Sequence, residues 1–205
     1  NVVGTQRVLE WSRLNRIKRV IYSGTSSLYG KQNPIPFEPN MPADCLNPYS
    51  MSKWMGEQVC KLYHQLYGLP SITLRYFNVY GPREPIKGEY APVIGLFKRQ
   101  SSNNQLMTIV APGTQRRDFT YIDDVVEANI CAMNSSVHTI PFGIYNVGTG
   151  KNYSILEIAD MIGGKINIIP SRPAEVEETL ADIEKTVKDL GWEPKHKLIE
   201  KINRY

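Results

Sequence analysis

The sequence predicts an α/β protein, in which part of a parallel sheet with crossover helices is followed by a smaller α+β lobe. Three observations carry this expectation. Amphipathic helical stretches alternate with short β-branched runs as far as Val79. After "YGPRE" (Tyr80 to Glu84) that rhythm breaks, and Pro82, Pro85, Gly88 and Pro92 mark a long loop. Beyond the loop, short strands and helices follow one another, with no internal repeat and no low-complexity tract.

Taken in order, Asn1 to Asn15 reads as a helix whose apolar face is Val2, Val3, Val8, Leu9 and Trp11. "RVIYSG" (Arg19 to Gly24) reads as a buried strand, and the small, polar "TSSLYG" after it as a loop at the strand's C-terminal end. A helix opens at Asn47 or Pro48, runs to about Tyr67 and stops at Gly68 and Pro70. "SITLRYFNV" (Ser71 to Val79) is the next strand. In the second part the pattern predicts a short helix near Val93 to Gln100 and a strand at Leu106 to Val110. A helix over Tyr121 to Met133 is expected to be capped by Asp123, which also accounts for the Asp123-Asp124 pair. "FGIYNVG" is a strand, "YSILEIADMIG" a helix capped by Ser154, "KINIIP" a strand and "DIEKTVKDLGW" a helix capped by Asp182.

Composition narrows the functional classes. The chain has 205 residues, 41% hydrophobic and 21% charged, enough to bury a core. A net charge of +4 without a long basic run argues against a nucleic-acid arm and leaves room for a local anion site. Cys45, Cys60 and Cys131 form neither a C-x-x-C pair nor a metal set, so buried thiols in a reducing, cytoplasmic setting are expected. His64, His138 and His196 lack partners at ligand spacing, which predicts structural or surface roles and no metal site. Tyr63 and Tyr67 read as packing residues. No apolar run reaches membrane-spanning length, and no signal peptide precedes Asn1, so the chain is expected to be cut from a longer one.

The chemistry concentrates in "CLNPYSMSKWMGE" (Cys45 to Glu57). Tyr49 and Lys53 stand four residues apart, on one face of a helix. With 12 Tyr in the chain, such a spacing is expected by chance and decides nothing by itself. Its setting adds weight, because ligands of α/β sheets bind outside the carboxyl ends of the strands. "SGTSSLYG", the Tyr–Lys pair and "YFNVYG" all fall there, bringing a hydroxyl, a phenol–ammonium pair and an amide to one edge. An ammonium beside a phenol favours the phenolate, and a second cation such as an oxidised nicotinamide ring would favour it further. The phenolate could then take a proton from a sugar or alcohol hydroxyl while hydride leaves. Thr25 is placed to donate to the same oxygen or relay the proton.

The whole pattern resembles the extended short-chain dehydrogenase/reductase family, in particular nucleotide-sugar epimerases of the UDP-glucose 4-epimerase type. The resemblance is carried by "NVVGTQRVLE", "VIYSGTSSLYG", "NPYSMSK", "LRYFNVYGPRE", "GTQRRDFTYIDDVVEA", "YNVGTG" and "LADIEKTVKDLGWEPK", in the family's order and spacing. It implies a Rossmann-like doubly wound sheet, with residues 1–82 as the remaining half of an NAD-binding domain. Residues 83–205 would be mainly a nucleotide-sugar-binding lobe, with some segments returning to the sheet. It implies Tyr49 as catalytic base or acid, Lys53 on the nicotinamide ribose and Thr25 as the catalytic Ser/Thr. Asn1 would stand near the cofactor and Phe77 at the nicotinamide. Asn78 and Arg117 would contact the diphosphate together with Arg172, Glu175 the nucleoside ribose, and Val93 the base. Thr179 would gate the space beside the sugar's C2 substituent, where a small residue admits N-acetyl groups. Taken alone, Arg117 could belong to a solvated charge cluster and Arg172 to an ordinary loop. The family's homodimer contact would use helices 1–15 and 48–67.

Departures from the pattern shape the expectation. The Gly-rich dinucleotide fingerprint is missing, since Gly148-Thr149-Gly150 lacks a third glycine and lies beyond the catalytic Tyr. The half of the sheet that grips the pyrophosphate is therefore expected outside this chain, and the 205 residues alone are expected to be inactive. "APGTQ" (Ala111 to Gln115) stands where relatives usually show Gly-Asp-Gly, which predicts a changed turn. Related dehydratases carry an Asp-Glu pair after the catalytic Thr, and sugar-acid decarboxylases usually keep a Glu there. Here Ser26 and Ser27 occupy those positions, which favours an epimerase. The intact Thr–Tyr–Lys set argues against a non-enzymatic nucleotide sensor.

Overall fold

A computed structural model describes residues 1–85, 92–171 and 175–204. Helix α1 (Val2–Leu14) leads into strand β1 (Val20–Thr25), and a 3-10 turn, Ser26–Tyr29, follows directly. Helix α2 (Pro48–Tyr67) starts sharply because three signals coincide. Asn47 accepts from the Ser50 N–H, Ser50 reciprocates, and Pro48 presets the first turn. It stops at Gly68, whose φ of 65° is the left-handed conformation that glycine adopts without strain. Strand β2 (Ser71–Tyr76) is shorter than the expected run to Val79. Asn78 takes a positive φ of 21°, so Val79–Tyr80 turns away as a separate strand, β3.

The second part holds α3 (Val93–Ser102), β4 (Met107–Val110), β5 (Arg116–Asp118), β6 (Thr120–Tyr121) and α4 (Ile122–Asn134). It continues with β7 (Phe142–Val147), β8 (Asn152–Ser154), α5 (Ile155–Ile162), β9 (Ile166–Ile169), α6 (Glu184–Leu190) and α7 (Leu198–Lys201). Ser154 caps α5 as expected, in a capping box with Glu157. The Asp123 cap is corrected, because the chain enters α4 through an extended Tyr121 with no side-chain cap. Its neighbour Asp124 is buried and accepts from the Lys195 and His196 N–H groups, with His196 Nδ1 2.8 Å away, so it anchors the C-terminal segment. Asp182 sits one position outside the cap of α6 and accepts from the Glu184 N–H. The turn at Ala111–Gln115 contains a cis Ala111–Pro112 bond.

Three strands form the main sheet in the order β1-β2-β7, all parallel. Register places Thr25 opposite Tyr76 and Tyr76 opposite Val147, so the three strands end flush. The residues after them, the Ser26–Tyr29 turn, Phe77-Asn78 and Gly148-Thr149-Gly150, therefore leave from one edge. Helices cover both faces, because β2 is buried along nearly its whole length. Ile72, Leu74, Tyr145 and Val147 pack with Val125, Ala128 and Trp192 on the α4 side. Leu9, Tyr22, Cys60 and Leu69 pack on the α1–α2 side. A separate core of Ile94, Phe97, Met107, Ile109 and Ile158 holds α3, α5 and the parallel β4–β9 pair together.

Among the described residues no helix is long and apolar enough to cross a membrane. None of their His, Cys, Asp and Glu groups gathers in threes that could hold a metal ion. His64 stacks on Phe142 with ring centroids 5.2 Å apart. Tyr63 and Tyr67 meet edge-on; Tyr63 packs against the core of Leu9, Tyr22 and Cys60, whereas Tyr67 is 54% exposed.

Candidate active site

Thr25 ends β1 with its side chain buried, and its Oγ1 accepts from the Ser27 N–H at 3.2 Å, opening the turn. The Ser27 hydroxyl lies 3.2 Å from the same oxygen. Helix α2 crosses close over β1, where a Cβ on Gly56 would collide with the Tyr22 hydroxyl. That hydroxyl donates to the Lys53 carbonyl at 3.0 Å. The close crossing lets the Lys53 ammonium reach back and donate to the Ser23 carbonyl at 3.0 Å, two residues before Thr25. Burial shifts the Lys53 pKa downward from its ordinary value. Tyr49, one turn earlier, is 49% exposed, and its hydroxyl has no hydrogen-bond partner among the described residues. Asn1 donates to the Ser52 hydroxyl at 2.8 Å, which ties the start of α1 to this turn of α2.

A second group of residues lies beyond β2. Asn78 Nδ2 donates to the Asp118 carbonyl at 2.8 Å and approaches Thr179 Oγ1 at 3.4 Å. Thr179 Oγ1 also accepts from the Asp118 N–H at 3.3 Å. Arg117 is largely buried, and its Nη2 donates to Glu175 Oε1 at 2.5 Å. Burial lowers its pKa, against the opposing pull of Glu175. Asn78 with Thr179 and Arg117 with Glu175 thus form two polar pairs along the Arg117–Asp118 backbone. Arg172 lies outside the described residues. Val93 opens α3 on the second core. Phe77 is wholly buried against Leu28, Tyr29 and Phe37, so its ring belongs to the core behind the strand ends.

Asp118 was not among the residues the sequence marked, and it holds this region together. Its carboxylate accepts from the Thr149 N–H and hydroxyl, the Gly150 N–H and the Ala181 N–H at 2.7–3.2 Å. Burial pushes its pKa up to about 6, against the opposing pull of the four donors. The one available signal was a carboxylate directly before the strand-type run Phe119-Thr120-Tyr121. The same contacts occupy the Gly148-Thr149-Gly150 turn, since its Thr149 and Gly150 N–H groups are taken by a carboxylate and are not free to cradle a phosphate. A groove of about 320 Å³ runs along β1 beside Lys53 and is lined by Gly4, Thr5 and Val8 of α1. A larger hollow, of about 560 Å³, lies by α6 and the start of β7 and shares no residue with the site.

The described residues fit the nicotinamide end of a dinucleotide. Lys53 offers an ammonium with further N–H groups, and Tyr49 an accessible hydroxyl. A parallel sheet with both faces covered, with Thr25 at one of its flush strand ends and Tyr49 and Lys53 on the helix that crosses over that strand, is the layout of a dinucleotide-binding α/β fold. Comparison with known proteins agrees. The NAD dependent epimerase/dehydratase family matches residues 1–148, and the chain belongs to that family. It is 39% identical over its whole length to a candidate UDP-glucose 4-epimerase of Methanocaldococcus jannaschii, covering 67% of that protein. It is 35% identical to the UDP-glucuronate 4-epimerase of Thermodesulfobacterium geofontis, covering 63%. The UDP-N-acetylglucosamine 4-epimerase of Methanobrevibacter ruminantium M1, solved with UDP-N-acetylmuramic acid, superposes with a TM-score of 0.92 at 29% identity. That match covers 98% of this chain and 66% of the solved one. The chain therefore spans about two thirds of the length of the relatives it matches.

Proposed function

We propose that this chain serves in NAD-dependent epimerisation at C4 of a nucleotide-diphosphate sugar, through a 4-keto sugar. The supporting observation is the arrangement of Thr25, Tyr49 and Lys53 at the edge from which Asn78 leads to Arg117, Glu175 and Thr179. NAD, when bound, supplies a reversible hydride acceptor. Tyr49 removes the proton from the sugar hydroxyl and later returns it. Lys53 orients the nicotinamide ribose and, as a cation, favours the Tyr49 phenolate. Thr25 hydrogen-bonds the reacting oxygen. Arg117 and Arg172 grip the diphosphate, for which the forked guanidinium is suited. Asn78 assists them, and Glu175 meets the nucleoside ribose. Sugar-acid decarboxylation and dehydration are less well supported, because Ser26 and Ser27 place no carboxylate beside Thr25.

The substrate is proposed to be a UDP-hexose, UDP-glucose/UDP-galactose or their N-acetyl forms, the latter because Thr179 is small. The full-length protein carrying this sequence is expected to interconvert such a pair without added NAD. Product analysis with a panel of nucleotide sugars checks this. Loss of water or of carbon dioxide in place of inversion would replace the epimerase reading by the dehydratase or decarboxylase one.

A homodimer is proposed through α1 and α2. Val3, Val8, Trp11 and Leu14 on α1 and Met55, Leu62 and Leu66 on α2 are each more than one-third exposed. They lie on two helices in contact with each other, and a second copy of the chain would cover them. Trp11→Glu with Leu66→Glu is expected to turn a dimer into a monomer in sedimentation velocity. A wild-type monomer at micromolar concentration would refute the contact.

A further inference from the structure

Beneath the site lies a buried polar network that none of the roles above uses. Glu57 stands on α2 one turn beyond Lys53 and two beyond Tyr49, and is 1% exposed. Arg75, on β2 and 3% exposed, meets it fork to fork, with Nη2 to Oε1 at 2.6 Å and Nε to Oε2 at 3.0 Å. Arg75 Nη1 donates to the Tyr29 hydroxyl at 2.8 Å and to the Pro39 carbonyl at 3.0 Å. Tyr29 closes the turn that Thr25 opens, and donates to Asn146 Oδ1 of β7 at 2.6 Å. Asn146 donates in turn to the Phe37 and Asp182 carbonyls. One network thus joins the Tyr49–Lys53 helix, the central strand, the Thr25 turn and β7.

Stability does not explain such a pair. Two buried charges lose their hydration, and matched apolar side chains are often as stable or more so. Geometry does explain it. The other fully buried residues of α2, Ser50, Gly56 and Cys60, are small, while Trp54, Val59 and Tyr63 pack against the cores only partly buried. A two-point bond from Glu57 to the central strand adds to this packing a directional constraint on rotation and sliding. Tyr49 depends on this, since its hydroxyl has no partner of its own among the described residues and goes where the helix carries it.

We propose that Glu57 and Arg75 are positioning residues. Their buried fork, extended through Tyr29, sets the α2 helix against the Thr25 turn so that Tyr49 and Lys53 meet one reacting hydroxyl. This rests on the proton role proposed for Tyr49. The test uses the full-length protein, with kcat and KM measured per folded molecule and thermal midpoints beside them. Glu57→Met/Arg75→Met keeps the volume and removes both charges. It is expected to melt at or above the wild-type temperature, with kcat down roughly 10- to 100-fold and KM within about twofold. Tyr29→Phe keeps the pair but cuts the link to the turn, and is expected to lose kcat several-fold at unchanged KM. Should the double variant not fold, Tyr29→Phe decides alone. Wild-type kcat in the folded variants overturns the inference, and a slow Tyr49→Phe enzyme then leaves the proposed function standing. A Tyr49→Phe enzyme of wild-type speed overturns both.

Discussion

Replacing Tyr49 by Phe in the full-length protein is expected to lower kcat by about 10²- to 10⁴-fold, the range for loss of a general acid–base group. The substitution removes one oxygen and keeps the ring. Tyr49 is 49% exposed, and its hydroxyl has no hydrogen-bond partner among the described residues. Stability should therefore change by less than about 0.5 kcal/mol. KM should change little, because the proposed diphosphate and ribose contacts lie on Asn78, Arg117 and Glu175, away from α2. The pattern sought is a collapse of turnover with intact folding and binding, read from steady-state kinetics beside thermal denaturation and nucleotide-sugar titration. Turnover within a few-fold of wild type would remove Tyr49 from the mechanism.

Asp118→Asn is expected to lower stability by on the order of 3 kcal/mol, because the amide presents N–H where a carboxylate oxygen met two N–H donors. For a chain of this size that corresponds to a fall in the thermal midpoint of about 6–12 °C. The loss should not stay local. Asp118 joins the turn after β7 to the strand carrying Arg117, and its own backbone holds Asn78 and Thr179. Nucleotide-sugar affinity should therefore drop with stability, whereas Tyr49→Phe separates the two. An unchanged denaturation midpoint would show that the four contacts do not carry the region.

The alternation of elements and most of their order were legible because each carried its own local signal. Asn47 and Ser50 cap α2, Gly68 stops it, and Ser154 with Glu157 starts α5. The break between β2 and β3 was not legible. "YFNV" has strand chemistry except at Asn78, and a single Asn does not by itself end a strand; the pairing of Val79–Tyr80 with β6 accompanies the turn there. Asp123 looked like a cap because capping residues are recognised by type, whereas the tertiary fold recruits its neighbour Asp124 for the C-terminal segment. The short strands β5, β6 and β8 lack the length for a hydrophobic period, and exist through their partners.

By itself the sequence determined the family and pointed to the groups proposed for its chemistry. A Thr after a strand, a Tyr–Lys pair at the head of a helix and arginines downstream are local patterns, set by spacing and residue type. The tertiary structure alone decided how those groups are held. The flush ends of β1, β2 and β7, the Arg117–Glu175 pair, the Asp118 carboxylate on two other chain segments and the Glu57–Arg75–Tyr29 network join residues up to 117 positions apart. Such contacts follow from burial and register, which bring a carboxylate to its donors only once the chain has closed around them.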